Sequence, residues 1–106
     1  MLGEMLRHFG YLSVIRNDPR DALTLFARTP ERFDAAILDE IMPALRGTEL
    51  AGQLLQIKNH IPVILLTGHG GLITLDQIRA SGVRATLIKP VLKEQLRLVM
   101  DRLLKR

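Results

Sequence analysis

Three apolar runs in this chain end in side chains that suit one small anion. Ala35 to Leu38 ends at Asp39, Ile61 to Leu66 ends at Thr67, and Val83 to Ile88 ends at Lys89-Pro90. An ionised aspartate can attack a phosphorus centre and form an acyl phosphate. Carboxylate and phosphoryl group repel each other, so cations and donors must surround them. Lys89 can set an ammonium against the phosphoryl oxygens, and Thr67 can donate its hydroxyl to another. Taken singly, each residue has a plainer reading. Asp39 is then a turn or cap residue, Thr67 a hydroxyl in a local backbone bond, and Lys89 a solvated lysine. The three become specific only in combination, as the ends of parallel strands at one edge of one sheet.

The elements needed to place them there can be read from the pattern. Met1, Leu2, Met5, Leu6 and Phe9 recur at helical spacing, and Gly10 suits a C-terminal cap. Tyr11 to Ile15 reads as a short strand. Asp18-Pro19 reads as a helix start, with Asp18 at the N-cap. That helix carries Ala22, Leu23 and Phe26 on one face and ends before Pro30. Phe33 to Leu38 is the second predicted strand. A turn through Met42, Pro43 and Gly47 leads to a helix with Leu50, Leu54 and Ile57 inward. Ile61 to Leu66 is apolar without alternation, the mark of a strand buried on both faces. Thr74 with Gln77 forms a capping box, and Gly82 ends that helix. Val83 to Ile88 is the fourth predicted strand, and Leu92, Leu96, Val99 and Leu103 stripe the last helix. The order α-β-α-β-α-β-α-β-α implies an α/β fold with right-handed crossovers and a parallel sheet. Ligands of such sheets bind beyond the carboxyl ends of the strands, where Asp39, Thr67 and Lys89 fall.

Composition narrows the class. With 106 residues, 47% hydrophobic and 25% charged, the chain suits one globular domain. It has no cysteine, which excludes disulfides and thiolate metal sites. No apolar stretch reaches the roughly 20 residues of a membrane span, and the N-terminus lacks a signal-peptide pattern. A cytoplasmic setting is the expectation. The net charge of +4 raises nucleic-acid binding. The basic residues are scattered, however, apart from Arg97 to Arg106. With one Tyr and no Trp, stacking platforms are scarce, so nucleic acid is disfavoured as a partner.

The segment Ile37-Leu38-Asp39-Glu40-Ile41-Met42-Pro43, with Gly47 beyond it, resembles the phosphoacceptor loop of response regulator receiver domains. Leu65-Leu66-Thr67-Gly68 is similar to the switch-threonine strand of that family, and Leu87-Ile88-Lys89-Pro90 to its lysine-proline end, where a cis peptide is usual. The resemblance runs from Met1 through the last helix, and its style is closest to receivers at the C-terminal end of hybrid sensor kinases. It implies a flavodoxin-like, doubly wound parallel sheet in a two-component phosphorelay. Asp39 would accept a phosphoryl group from a histidine kinase or phosphotransfer protein. Mg²⁺ would be the cofactor, with Asp39 and the backbone carbonyl of Ile41 as matched ligands. Such a domain is not an enzyme in the turnover sense. It would pass a conformational change to a partner through the third helix, the last strand and the last helix.

Two departures from the family pattern set further expectations. The family begins with a central strand ending in an acidic pair, and this sequence begins inside the helix that follows. The expectation is therefore one receiver domain over 1–106 lacking its first strand. Weak Mg²⁺ binding and poor phosphorylation follow. Glu40 is a poor substitute ligand, because adjacent strand residues point to opposite faces. Unpaired strand edges on either side of the gap could pair directly, or drive a homo-oligomer or domain-swapped dimer. The second departure is Thr86, where the family commonly has an aromatic residue that reports phosphorylation by rotating. Both favour an alternative, a pseudo-receiver that acts as an interaction or dimerisation module without phosphorylation. A third reading is a flavodoxin-like domain that binds a phosphorylated ligand or nucleic acid. His69, in the loop Gly68 to Gly71, reads chiefly as a solvated loop residue. His8 and His60 are too isolated for a metal site. The glycine-rich loop lacks the Gly-Lys-Ser/Thr ending of a P-loop.

Overall fold

The computed structural model describes residues 2–42, 44–68 and 73–104. Met1, Pro43, His69, Gly70, Gly71, Leu72, Lys105 and Arg106 lie outside them, and with them part of the expected turn, of the glycine loop and of the basic C-terminal stretch. The elements in order are α1 (Leu2–His8), α2 (Pro19–Arg28), a 3-10 turn (Pro30–Arg32), β1 (Ala36–Asp39), α3 (Gly47–Ile57), β2 (Val63–Thr67), α4 (Leu75–Ser81), β3 (Ala85–Ile88) and α5 (Lys93–Leu104). All strand pairings are parallel and the order is β1-β2-β3. The class is α/β with a doubly wound parallel sheet, as expected.

Local signals set the helix ends. Asp18 caps α2 by accepting the Arg20 N–H at 2.8 Å, and Pro19 opens the helix. Thr74 and Gln77 close a reciprocal capping box on α4, at 3.1 and 2.9 Å. Gly82 ends α4 at φ +84°, a conformation that costs glycine little.

Side-chain alternation along the strands divides the core between the two faces of the sheet. Leu38, Val63 and Leu65 pack with Phe26 of α2 and with Leu50, Ala51 and Leu54 of α3. Ile64, Leu66 and Leu87 pack with Leu6 of α1 and with Leu96 and Met100 of α5. The central β2 is covered on both sides, and Val63, Ile64 and Leu65 have no exposed surface. That is why its sequence shows no alternation. Two residues expected inward are not: Ile57 is 40% exposed at the last turn of α3, and Leu92 is 56% exposed ahead of α5.

Tyr11–Ile15 is not a strand. Among the described residues the sheet has three strands, and Leu12 to Arg16 make no ladder hydrogen bonds. Leu12 is fully exposed and Val14 and Ile15 more than half so. The reason lies across from this segment. A cleft of about 1230 Å³, with Leu12, Val14, Ile37 and Leu38 in its lining, lies between it and β1. A strand exists only by pairing, and among the described residues no strand pairs with this segment. The two flanking segments do not close the gap by pairing with each other. No helix among the described residues is long and apolar enough to cross a membrane.

Candidate functional site

Strand register brings the three predicted residues to one edge. Asp39, the last residue of β1, stands abreast of Leu66, so Thr67 lies one step beyond it on β2. Thr67 is in turn abreast of Ile88, which places Lys89 just past the end of β3. The Lys89 N–H donates to the Thr67 carbonyl at 2.8 Å and continues the ladder past the last paired residue. The Lys89–Pro90 peptide is cis, as the resemblance implies.

The side chains of two of them, Lys89 and Asp39, then meet. Lys89 Nζ donates to Asp39 Oδ2 across 50 residues of sequence. The other carboxylate oxygen, Oδ1, accepts the Ile41 N–H at 3.1 Å. The pair is accessible, with 43% of the lysine side chain and 35% of the aspartate side chain exposed. An incoming anion can therefore reach both, and the ammonium can turn from carboxylate to phosphoryl oxygen. Ile41, 81% exposed, sits at the mouth of the site. Thr86, by contrast, is solvent-exposed within the edge strand β3, abreast of Leu65 and short of the strand tips.

Gly47 explains how the loop after Asp39 is held close. A methyl group on its backbone would lie 2.4 Å from the Asp39 carbonyl oxygen. Only glycine lets the start of α3 approach the end of β1 so nearly.

Sequence reasoning assigned Glu40 no positive role, and the structure gives it one. It is the buried charged residue of the described chain, at 8% exposure. Its Oε1 accepts the Thr48 N–H at 3.0 Å. The signal available in the sequence was Arg46, which occupies the N-cap of α3 yet has no side-chain acceptor to offer.

The metal implied by the resemblance fits this chain poorly. No group of three or more His, Asp or Glu residues that could hold an ion occurs among the described residues. Asp39 presents its carboxylate at the edge, while the adjacent Glu40 is committed to α3. Mg²⁺ needs more oxygen ligands than these provide.

A family model, the response regulator receiver domain, matches residues 1–101. This chain belongs to the response regulator receiver family. It is 36% identical over 90 residues to a response regulator receiver protein of Anaeromyxobacter, covering 85% of this chain and 37% of that protein. The transcriptional regulatory protein GlrR of Escherichia coli is 31% identical over 101 residues, 95% of this chain and 22% of GlrR. The chain thus spans well under half the length of either curated relative. A response regulator receiver domain protein from Clostridium thermocellum superposes with a TM-score of 0.91 at 27% identity, over 99% of this chain and 83% of that one. The signal receiver domain of a signal transduction histidine kinase from Syntrophus aciditrophicus gives 0.84 at 28%, over 98% and 79%. Receiver domains are signalling domains, and this receiver has their flavodoxin-like fold.

Proposed function

We propose that this receiver is a cytoplasmic phosphorelay domain in which Asp39 accepts a phosphoryl group from a histidine kinase or phosphotransfer protein. The observation that carries the reading is the Lys89–Asp39 contact at the open edge of the sheet. In the transfer, an Asp39 oxygen forms a bond to phosphorus while the P–N bond of the donor phosphohistidine breaks. The electron pair returns to the imidazole nitrogen, which takes up a proton. Lys89 leaves the carboxylate as it becomes an acyl phosphate and pairs with the phosphoryl oxygens. Thr67, one step beyond Asp39 on the neighbouring strand, donates its hydroxyl to another of them. Residues 1–106 are read as one receiver domain, with Leu12, Val14, Ile37 and Leu38 facing the cleft beside β1.

A second reading keeps the fold and drops the chemistry. Among the described residues no group of three or more His, Asp or Glu surrounds Asp39, and the adjacent Glu40 is bound to Thr48. That favours a pseudo-receiver that binds partners or pairs with a second copy.

Incubation with acetyl phosphate or beryllofluoride and Mg²⁺, beside Asp39→Asn, decides between them. Slow labelling that requires millimolar Mg²⁺ and vanishes in Asp39→Asn supports the phosphoacceptor. No label and no spectral change at any Mg²⁺ concentration supports the pseudo-receiver. Rapid labelling at micromolar Mg²⁺ would overturn the expectation of a weak metal site.

A further inference from the structure

We propose that Glu40 is a positioning residue for Asp39, and that it sets the carboxylate by locking both ends of the loop that follows. The proposal rests on the phosphoacceptor reading for its purpose, though not for its test.

Four bonds carry the argument. The Glu40 N–H donates to the Leu66 carbonyl at 3.0 Å, which fixes this residue to the central strand one step beyond Asp39. Its carbonyl accepts the Gly47 N–H at 3.1 Å, and its carboxylate accepts the Thr48 N–H at 3.0 Å. One residue thus holds the end of β1 and the first turn of α3 together, with 41–46 as the loop between. Within that loop the Ile41 N–H donates to Asp39 Oδ1 at 3.1 Å, which leaves Oδ2 for Lys89.

The anchor must come from Glu40 because the helix does not supply its own. The first four N–H groups of a helix lack intrahelical partners. At α3 the N-cap is Arg46, and Glu49 reaches back to the Arg46 N–H at 3.1 Å. The Arg46 side chain offers no acceptor, so the Thr48 N–H at the second helical position needs one from elsewhere. A carboxylate is also the favoured charge at a helix N-terminus. A buried carboxylate stripped of the Thr48 donor would be costly, so the arrangement holds Glu40 as Glu40 holds the loop. The side chains of Asp39 and Glu40 diverge, as those of neighbours at a strand end do. One is bound by α3 and the other is presented at the edge.

Three substitutions separate reach from charge. Glu40→Gln keeps an acceptor at the same distance, Glu40→Asp keeps the charge but is one methylene short, and Glu40→Met keeps neither. The readouts are exchange protection of the Thr48 amide, the Ile41 amide resonance and the Asp39 carboxyl carbon resonance. Glu40→Asp and Glu40→Met are expected to lower Thr48 protection by about tenfold. They should shift the Ile41 and Asp39 signals together, while Glu40→Gln restores all three. If Glu40→Met does not fold, the Asp and Gln variants carry the comparison. The proposal is overturned if Thr48 loses protection while Ile41 and Asp39 stay at their wild-type positions, for Glu40 then only caps a helix. It is also overturned if Glu40→Asp is native-like and Glu40→Gln is not, since charge rather than reach would then govern. The wild type in the same pattern but without any Asp39 label from acetyl phosphate would sink the phosphoacceptor reading and leave the positioning role standing.

Discussion

Replacing Gly47 with alanine tests the packing that brings α3 to the site. The added methyl would lie 2.4 Å from the Asp39 carbonyl oxygen, 2.8 Å from Leu65 Cδ1 and 3.0 Å from the Asp39 carbonyl carbon. Leu65 Cδ1 could move, but it is fully buried and the oxygen is backbone. Carbon–oxygen contacts settle near ~3.3 Å, so the helix start and the strand end must separate by about 1 Å. Overpacking of this kind costs roughly 1–3 kcal/mol. Gly52, on the same helix, has nothing within 4 Å of where a methyl would sit. Gly52→Ala should gain about 1 kcal/mol from helix propensity alone. The two variants should therefore differ by roughly 2–4 kcal/mol in urea unfolding, with unchanged m-values. In melting temperature that is on the order of 10–20 °C for a chain of this size. Because the displaced oxygen belongs to Asp39, phosphoryl acceptance should also fall, by as much as ~10²-fold for a 1 Å displacement. Equal stability of Gly47→Ala and Gly52→Ala would refute the reasoning.

Lys89→Met should separate chemistry from stability. The ion pair is exposed, so unfolding free energy should move by no more than about 1 kcal/mol. Asp39 labelling should drop on the order of 10²-fold, and a large loss of stability with labelling intact would contradict the assignment. Thr74→Ala removes the hydroxyl that accepts the Gln77 N–H and should cost about 1 kcal/mol, read from the urea midpoint. For Asp18, side-chain and backbone hydrogen bonds from Arg20 hold the carboxyl below its ordinary value near 3.8. A depressed folded-state pKa gives stability that is fully present above that value and is lost as pH falls through the folded one. The stability gap between wild type and Asp18→Asn should thus be flat above pH 3.8 and close below it. A gap unchanged in strong acid would show that the charge contributes nothing.

The helices were legible because their signals are local. Asp18-Pro19, Thr74 with Gln77, and Gly82 each act within one turn, and each ends or starts a helix where the sequence placed it. The strands were legible as apolar runs, but their first residues were not. Phe33 and Val83 fall before the ladders begin at Ala36 and Ala85, because pairing with β2 decides where a strand starts. Tyr11–Ile15 is the extreme of the same effect. Its composition suits a strand, yet composition states what a segment tolerates, and a ladder requires a second segment at about 4.8 Å.

The site divides along the same line. Asp39, Thr67 and Lys89 could be predicted to converge because parallel topology sends every strand end to one edge, whatever the packing details. Which oxygen of Asp39 meets Lys89, and what fixes the loop, depends on a bond that skips eight residues and on a methyl group that Gly47 lacks. Neither leaves a periodic trace. The argument from Glu40 nevertheless has a readable beginning. An arginine at a helix N-cap offers donors where an acceptor is required, so some other group must accept. In a chain this short, the nearest carboxylate outside the helix, Glu40 just past the preceding strand, is the natural choice. A deficit in local hydrogen bonding thus points to a tertiary partner, here one that stands next to the reactive aspartate.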